Sequence, residues 1–288
     1  MKALRSGIAR LVAAGVLVIA FAAPASAADT AMVRVLHASP DAPAVDIHLD
    51  DAPVSALTGV PFATISDYLE VPAGDHNVKV FATGTTTDPV IDADVTVSAG
   101  AAYTIAATDA LASITPQVLQ DEPSPSCDNA QVRVVHFSAD APAVDVAPAG
   151  TAPDAALVQD LAYPDASDYL DLPGGTYDLE VRVAGETTVA LDLPGVAVED
   201  CMSYSAFAIG SAAGPAVGDN ALQVVVAVDG TASPDMPAPP ETDTLGSDQA
   251  PASGLPLGLL AVAGVAFLAS LRVLAVRRSA AGGPRAQG

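Results

Sequence analysis

The chain has 288 residues and a formal net charge of −23 at pH 7, from 34 acidic and 11 basic residues. All the acidic residues fall between Asp29 and Asp248, where only four basic residues occur, so this stretch carries −30. Such a surface repels nucleic acid and anionic lipid and attracts cations and basic partners. An acidic, well-hydrated exterior also explains the charge without any ligand. Trp is absent, which counts mildly against a carbohydrate-binding module, although six Tyr remain.

Residues 1–27 are predicted to be a secretory signal peptide. Basic residues open the segment, an apolar core follows, and small residues precede the expected cleavage after Ala27: Lys2, Arg5, Arg10, Leu11–Ala23 and Ala25–Ala27. The alternative is an uncleaved N-terminal anchor. The apolar run is shorter than the ~20 residues of a bilayer span, and Pro24 ends it, so we expect cleavage and export.

The middle of the chain is an internal repeat. Residues 33–47 align with residues 132–146 at an offset of 99, and 11 of the 15 positions are identical. Residues 66–74 match residues 167–175 at an offset of 101. A repeat of about 100 residues has the size of an independent domain rather than of a solenoid unit. We therefore predict two domains, 29–120 and 127–229, joined by a stiff linker at 121–126.

Each copy shows short alternating apolar segments separated by Pro and Gly, and no amphipathic run of helical period. Segments such as Val33–His37, Val45–Leu49, His76–Phe81, Val95–Val97 and Tyr103–Ala107 are rich in β-branched and aromatic residues. Seven or eight strands in about 100 residues predict an all-β fold, an antiparallel β-sandwich of immunoglobulin-like or transthyretin-like type. The main alternative is a mixed β fold with a short helix near Val54 to Leu57.

The C-terminal part is predicted to hold the protein in the membrane. Residues 230–254 are rich in Pro, Asp, Ser and Thr and favour a disordered or polyproline-like stalk. Residues 255–276 are apolar apart from Arg272 and span ~33 Å as a helix, enough for a ~30 Å hydrocarbon layer. The arginines of the tail, residues 277–288, indicate the cytoplasmic side, with the ectodomain extracellular. A sortase substrate is the alternative, but no Leu-Pro-x-Thr-Gly-type motif precedes the helix.

Both cysteines of the chain, Cys127 and Cys201, lie in the second copy. The repeat offsets place Ala28 and Gly100 at the equivalent positions of the first copy, so the two cysteines are absent there together. In an exported protein this predicts a disulfide. Free thiols or an intermolecular bond are the alternatives.

The repeated motif contains residue types that could carry chemistry: His37, Ser39, Asp41 and Asp46, and His136, Ser138, Asp140 and Asp145. A His, a Ser and an Asp invite a hydrolase hypothesis, but no strained Gly-x-Ser-x-Gly turn accompanies them. A structural role is favoured. The Ser and the first Asp are expected to cap turn amides, and Asp46 is expected to hydrogen-bond His37.

A second repeated motif pairs an aspartate with a tyrosine, Asp67-Tyr68 and Asp168-Tyr169. We expect the Tyr hydroxyls to bond backbone at a sandwich corner. For metals, Asp50-Asp51 and Asp92-Ala93-Asp94 could donate oxygens to Ca²⁺, but neither resembles an EF-hand loop. His48 and His76 are not repeated, so any histidine site would differ between the copies. No cofactor is expected, and the metal question stays open.

The segments Val33–Ile47 and Ser66–Gly74, with their counterparts in the second copy, resemble the bacterial and archaeal surface domain called DUF4397. The resemblance covers roughly residues 31 to 229. It implies an exported β-sandwich and supplies no catalytic residues. The second copy departs from the pattern at Ala139, where the first has Pro40, and by its cysteine pair.

These observations predict a non-enzymatic protein of the cell membrane that displays two domains on a stalk for interaction or adhesion. A binding module for a cation such as Ca²⁺ or for a cell-wall glycan is the second hypothesis. A hydrolase is the third.

Overall fold

The computed structural model describes residues 29–122, 125–213 and 220–232. This part of the chain is built from β-strands, and its helical elements are three short 3-10 turns at Ser55–Leu57, Leu111–Ser113 and Pro153–Ala155. The predicted all-β class is therefore confirmed. The turn at Ser55–Leu57 lies where the mixed alternative placed a helix, but it is only three residues long.

Within the described residues, the first copy contains nine strands and the second contains eight. The first copy comprises β1 (Thr30–His37), β2 (Val45–Leu49), β3 (Ala52–Pro53), β4 (Thr64–Ile65), β5 (Leu69–Pro72), β6 (Gly74–Ala82), β7 (Ile91–Val97), β8 (Ala102–Thr108) and β9 (Thr115–Asp121). The second comprises β10 (Ala130–His136), β11 (Val144–Pro148), β12 (Val158–Leu161), β13 (Leu170–Leu172), β14 (Gly175–Val183), β15 (Val189–Val198), β16 (Met202–Ile209) and β17 (Gln223–Thr231).

Each copy forms two sheets from its own strands. In the first copy one sheet has the order β4-β1-β8-β9, with β5 also paired to β1, and the other has the order β3-β2-β6-β7. In the second copy the corresponding orders are β13-β10-β16-β17 and β12-β11-β14-β15. The copies thus share one topology, as the repeat predicts.

The expectation of a wholly antiparallel arrangement was wrong at one pairing in each copy. Strands β1 and β8 run parallel, with Val33 opposite Tyr103, and β10 and β16 run parallel, with Val132 opposite Tyr204. The strands of each parallel pair are far apart in sequence, so the chain has room to return to the same end of the sheet before the second strand begins. The other strand pairs of the described residues are antiparallel.

The two sheets of each copy enclose a core of alternating aliphatic residues. In the first copy Val35 and Ile105 from one sheet pack with Ile47 and Val80 from the other. In the second copy Val134 packs with residues of β11, β12, β14 and β15. Because side chains alternate along a strand, the remaining residues of β1, β8, β10 and β16 face the opposite way.

Those opposite faces pack against each other, so the two copies form four layers of sheet. A single apolar cluster contains Leu36 and Ala106 of the first copy together with Val135, Phe137 and Phe207 of the second. Strand β8 is consequently buried along its whole length. We call this contact between the sheets of β1 and β10 the seam.

Two predicted boundaries were wrong. Asp121, placed in the linker, is the last residue of β9 and is buried. Gly230 and Thr231, placed in the stalk, belong to β17, where Thr231 pairs with Met202. Both strands run further than composition suggests because their ends still pair with a neighbouring strand.

The predicted signal peptide (1–27), membrane helix (255–276) and tail (277–288), and the stalk beyond residue 232, lie outside the described residues. Among the residues that are described, no helix has the length and apolar character needed to cross a membrane.

Candidate functional site: the seam between the two copies

The guanidinium of Arg34 is buried between the copies. Its Nε donates to Thr104 Oγ1 on the neighbouring strand at 2.8 Å. Its other nitrogens reach across the seam to β17, where Nη1 donates to the Val228 carbonyl at 2.9 Å and Nη2 donates to the Asp229 carboxylate. Only 2% of Arg34 is exposed. Arg34 therefore joins the first copy to the last strand of the second.

Arg133 makes the reciprocal contacts from the second copy. Its Nε donates to Ser205 Oγ at 3.1 Å. Across the seam, Nη1 donates to the Gln120 carbonyl at 2.8 Å, and Nη2 donates to the Asp121 carboxylate at 2.5 Å. Each copy thus supplies one arginine and one carboxylate, and the two sets of contacts are related by an approximate twofold axis.

Tyrosines of the repeated Ser-Asp-Tyr motif complete both sets. The Arg34 guanidinium lies 4.6 Å from the centre of the Tyr68 ring, within range of a cation–π contact. The Tyr68 hydroxyl donates to Asp121 at 2.7 Å. Burial raises the pKa of Tyr68 and of Tyr169, its counterpart, so both hydroxyls remain protonated donors.

The two carboxylates are fully engaged. Asp121 also accepts a hydrogen bond from Thr104 Oγ1 at 2.6 Å. Asp229 accepts one from Ser205 Oγ and one from the Tyr169 hydroxyl, each at 2.6 Å. A buried ion pair is tolerated when hydrogen bonds satisfy the remaining groups, as they do here. The expectation that the Tyr hydroxyls bond backbone was wrong for Tyr68; Tyr169 does accept the Glu122 amide, at 3.2 Å, but donates to Asp229.

The sequence contained a signal for this network, although the overall composition does not reveal it. Arg34 and Arg133 are two of the four basic residues between Asp29 and Asp248, they occupy equivalent repeat positions, and each stands between two valines of a strand. A cation in such a segment must find a buried partner. Asp121 and Asp229 were missed because they lie near predicted domain boundaries and outside the aligned motifs.

The repeated histidines are buried parts of the scaffold. His37 and His136 are 0% and 1% exposed. Nε2 of each lies 3.0 or 3.1 Å from a carbonyl of its own loop, Pro43 or Pro142. A carbonyl only accepts, so Nε2 carries the proton. Burial lowers the pKa of both histidines, which favours the neutral ring.

The repeated serines do not form a Ser–His pair. Ser138 Oγ donates to the Gly210 carbonyl at 2.7 Å, and it is the Ser138 backbone amide that donates to His136 Nδ1, at 3.3 Å. In the first copy, Ser39 Oγ and His37 Nδ1 are buried without a hydrogen-bond partner among the described residues. The expectation that these serines cap turn amides was wrong.

The first aspartate of the motif does cap backbone amides, but of a distant loop. Asp41 accepts the Leu111 amide at 2.7 Å. Asp140 accepts the amides of Ala212 and Ala213, each at 2.9 Å. In both copies this contact fastens the loop after the first strand to the loop after β8 or β16.

The second aspartate clamps two turns. Asp46 accepts the Gly59 amide at 2.6 Å and the Gly84 amide at 3.0 Å. These bonds to the amides of Gly84 and Gly59 lower the pKa of Asp46. The Asp145 carboxylate likewise accepts the backbone amides of Asp160 and Gly185, at 2.7 and 2.8 Å. The expected bond between Asp46 and His37 was therefore wrong, because the carboxylate turns toward backbone donors.

Asp67 and Asp168 behave differently from the rest of the motif. Both are exposed, and their carboxylates make no hydrogen bond or ion pair within the described part of the chain. The preceding serines have backbone partners, since Ser66 and Ser167 Oγ accept the amides of Val35 and Val134 at 3.0 Å.

The proposed calcium donors already have protein partners. Asp50 bonds His76 Nδ1 at 2.7 Å and Asp51 pairs with Lys79 at 2.5 Å. Asp92 and Asp94 both accept the Asn77 amide, at 2.9 and 3.0 Å. Across residues 29–122, 125–213 and 220–232, no group of three or more His, Cys, Asp or Glu side chains is placed to hold a metal.

Cys127 and Cys201 form the predicted disulfide. It ties the segment before β10 to the turn between β15 and β16, 74 residues later. The linker is also held to the second copy at Glu122, whose carbonyl accepts a hydrogen bond from Ser203 Oγ at 2.6 Å.

We call the ion pairs of Arg34 with Asp229 and of Arg133 with Asp121 the lock. The four layers and this lock define a class: an all-β protein whose two homologous copies pack face to face. The family described as "Domain of unknown function (DUF4397)" matches residues 31–147 and 151–238, two consecutive segments in keeping with two tandem copies. The chain belongs to this family, and the resemblance noted in its motifs is confirmed. No curated protein matches the chain.

Proposed function

We propose that the protein is a non-enzymatic surface protein whose paired domains act as an interaction or adhesion module. It is exported by the signal peptide at 1–27 and held by the helix at 255–276, with the ectodomain outside the cell. The finer fold class goes with this proposal: each copy is a sandwich of immunoglobulin-like or transthyretin-like type, modified by one parallel strand pair.

The observation that carries the proposal is the seam. Two independent domains on a flexible stalk would each sample many orientations. Here the buried pairs of Arg34 with Asp229 and Arg133 with Asp121 fix one domain on the other. A fixed block presents its exposed surfaces in one constant arrangement, which lowers the entropy cost of binding a partner.

The state of the repeated motif supports a non-enzymatic role. A hydrolase of this type needs a serine hydroxyl in contact with the imidazole and open to substrate. His37 and His136 are buried, and within the described residues neither serine hydroxyl bonds its histidine. Most residues of the motif have partners within the scaffold.

Intact cells provide the test. The disulfide-intact ectodomain, immobilised as bait, is expected to retain a defined surface component, and a variant with a broken seam is expected to retain less. An esterase and glycosidase panel is the counter-test. Robust turnover that disappears in His37→Ala or His136→Ala would overturn the proposal in favour of a hydrolase.

A ligand-binding module is the second candidate, because a cavity of about 470 Å³ opens beside the seam. The two ligands considered are a cation such as Ca²⁺ and a cell-wall glycan. Calorimetric titration of the ectodomain with Ca²⁺ and with wall fragments separates this candidate from the first, and flat traces with both would remove it.

A further inference from the structure

The cavity beside the seam is formed by both copies. Gln120 and Glu122 of the first copy lie on one side. Gln131, Arg133 and the segment 166–169 of the second copy supply the other side. Its volume of about 470 Å³ lies within the range of pockets that hold small ligands, roughly 300–1,000 Å³.

The side chains of this cavity with unused hydrogen-bonding capacity are two amides and two carboxylates. The carboxylates of Glu122 and Asp168 and the amide of Gln120 make no hydrogen bond within the described residues, and Gln131 makes one long contact, 3.4 Å, to Asp171. Arg133 also lines the cavity, but its charge is matched by Asp121. The site therefore offers both donors and acceptors, and no unmatched positive charge.

This set of groups selects among ligand classes. An anion would meet two carboxylates without a free cation, and an apolar ligand would cover amides and carboxylates without giving them hydrogen bonds, which is unfavourable. Hydroxyl groups fit, because each can donate to a carboxylate and accept from an amide. Several hydroxyls on a compact frame are the chemistry of a saccharide.

The approximate twofold axis provides an internal comparison. The positions equivalent to Gln131, Gln120 and Glu122 at the other end of the seam are Met32, Val228 and Gly230. Ile65 takes the place of Ala166 there. Met32 and Val228 are 38% and 39% exposed, so that end presents apolar side chains where this one presents amides. Arg34, Ser66 and Tyr68 repeat Arg133, Ser167 and Tyr169, but of the two amides and two carboxylates only Asp168 has a polar counterpart, Asp67. The polar cavity is thus a property of one end and not of the shared fold.

We infer that the cavity at Gln120, Glu122, Gln131 and Asp168 is a binding site for a neutral saccharide. This inference deepens the second candidate function, on which its biological meaning rests. It gives that candidate a ligand class and a location, and it makes the two ends of the seam unequal in binding.

The test uses the disulfide-intact chain and two neutral probes, maltotetraose and tetra-N-acetylchitotetraose. Calorimetry measures affinity, and NMR follows the side-chain amide signals of Gln120 and Gln131. We expect saturable binding with at least one probe and shifts at both glutamines. Asp168→Asn and Glu122→Gln should each weaken binding about tenfold, the loss of one charge-assisted hydrogen bond. Asp67→Asn is the matched control and should leave affinity unchanged.

Gln131→Met places the residue of the other end in the cavity; it removes the Gln131 signal and should also abolish the shift of the Gln120 amide. These positions are exposed or half-buried, so the variants are expected to fold. Flat titrations with both saccharides would overturn the inference, as would equal loss in Asp67→Asn. A lysine-containing tetrapeptide is the third arm. Binding of that peptide alone would replace the saccharide with an ammonium-bearing partner.

Failure here is distinguishable from failure of the leading proposal. The cell-surface bait could still retain a protein partner when the saccharide titrations are flat. Conversely, the probes could bind while the bait retains nothing.

Discussion

Arg34 and Asp229 form a buried ion pair across 195 residues of sequence, and the pair joins the first strand of one copy to the last strand of the other. The equivalent ion pair, Arg133 with Asp121, spans only 12 residues of sequence but crosses the same seam in the opposite direction. Because Arg34 Nη2 also lies 3.6 Å from Asp121, the two pairs form one buried network that holds the copies together.

Breaking one member of this lock should destabilise the protein strongly. Arg34→Met leaves Asp229 buried with its charge unmatched, and the expected loss is about 3–5 kcal/mol in the free energy of unfolding. Urea denaturation followed by circular dichroism measures it. Lys79→Met, which removes an exposed pair with Asp51, is the control and should change stability little. Equal effects of the two substitutions would contradict the buried lock.

The disulfide should stabilise one copy selectively. A 74-residue loop corresponds to about 4 kcal/mol by chain entropy, less any strain. In the Cys127→Ser/Cys201→Ser variant, native-state hydrogen exchange should speed up in β10 and β16 more than in β6 and β7. Uniform acceleration across both copies would instead mean that the seam makes them one cooperative unit.

His76 should give the first copy a pH dependence that the second lacks. Nδ1 faces Asp50 and Nε2 faces the Pro72 carbonyl, each at 2.7 Å, so both nitrogens act as donors in the protonated ring. The Asp50 bond, followed by the Pro72 bond, raises the pKa of His76, and the bond from His76 lowers the pKa of Asp50.

The signs of the two effects define a window. The His76 contribution is complete below its ordinary pKa of 6.5 and is lost as the pH rises through the higher folded value. The Asp50 contribution is present above 3.8 and is lost as the pH falls through the lower folded value. His76→Tyr imitates the second copy, where the Tyr177 hydroxyl donates to Pro173 at 2.6 Å. Thermal unfolding between pH 5 and pH 9 (a range of about four units around the His pKa) should lose its His-linked slope in this variant.

The same substitution in the two copies should have unequal effects at the motif serine. Ser138→Ala removes a donor from the buried Gly210 carbonyl and should cost about 1–3 kcal/mol. Ser39 Oγ has no partner among the described residues, so Ser39→Ala should be neutral or slightly stabilising. Chemical denaturation of both variants decides the matter. A large loss in Ser39→Ala would point to an unrecognised partner of that hydroxyl.

Much of the fold was predictable because it depends on local patterns. Alternating Val and Ile residues define strands such as Val45–Leu49 before any contact is known. The repeat required that both copies have one topology. The first copy has Ala28 and Gly100 at the positions equivalent to Cys127 and Cys201, and this joint absence of both cysteines indicated that the two form a pair. The parallel pairing of β1 with β8 was not predictable in this way, since alternation does not encode strand direction.

The roles of the motif residues were harder to predict. A strand pattern indicates that Asp46 and His37 are near one another in sequence, but it does not say which backbone donors come closest in space. Asp46 lies near the amides of Gly59 and Gly84, which two separate turns bring to it. Several donors around one carboxylate outweigh a single imidazole, particularly when burial keeps that imidazole neutral.

The sequence by itself determined the class of the fold, its duplication, its disulfide and its family. The first three follow from composition, periodicity or self-alignment, which are properties of the chain read in order, and the family follows from the resemblance of its motifs. Only the tertiary structure decided that the copies pack face to face, that Arg34 and Arg133 exchange partners, and that one end of the seam is polar. Those features depend on contacts between residues that are far apart in sequence. When a strand buries apolar side chains on both of its faces, a linear pattern does not specify which element packs against the second face.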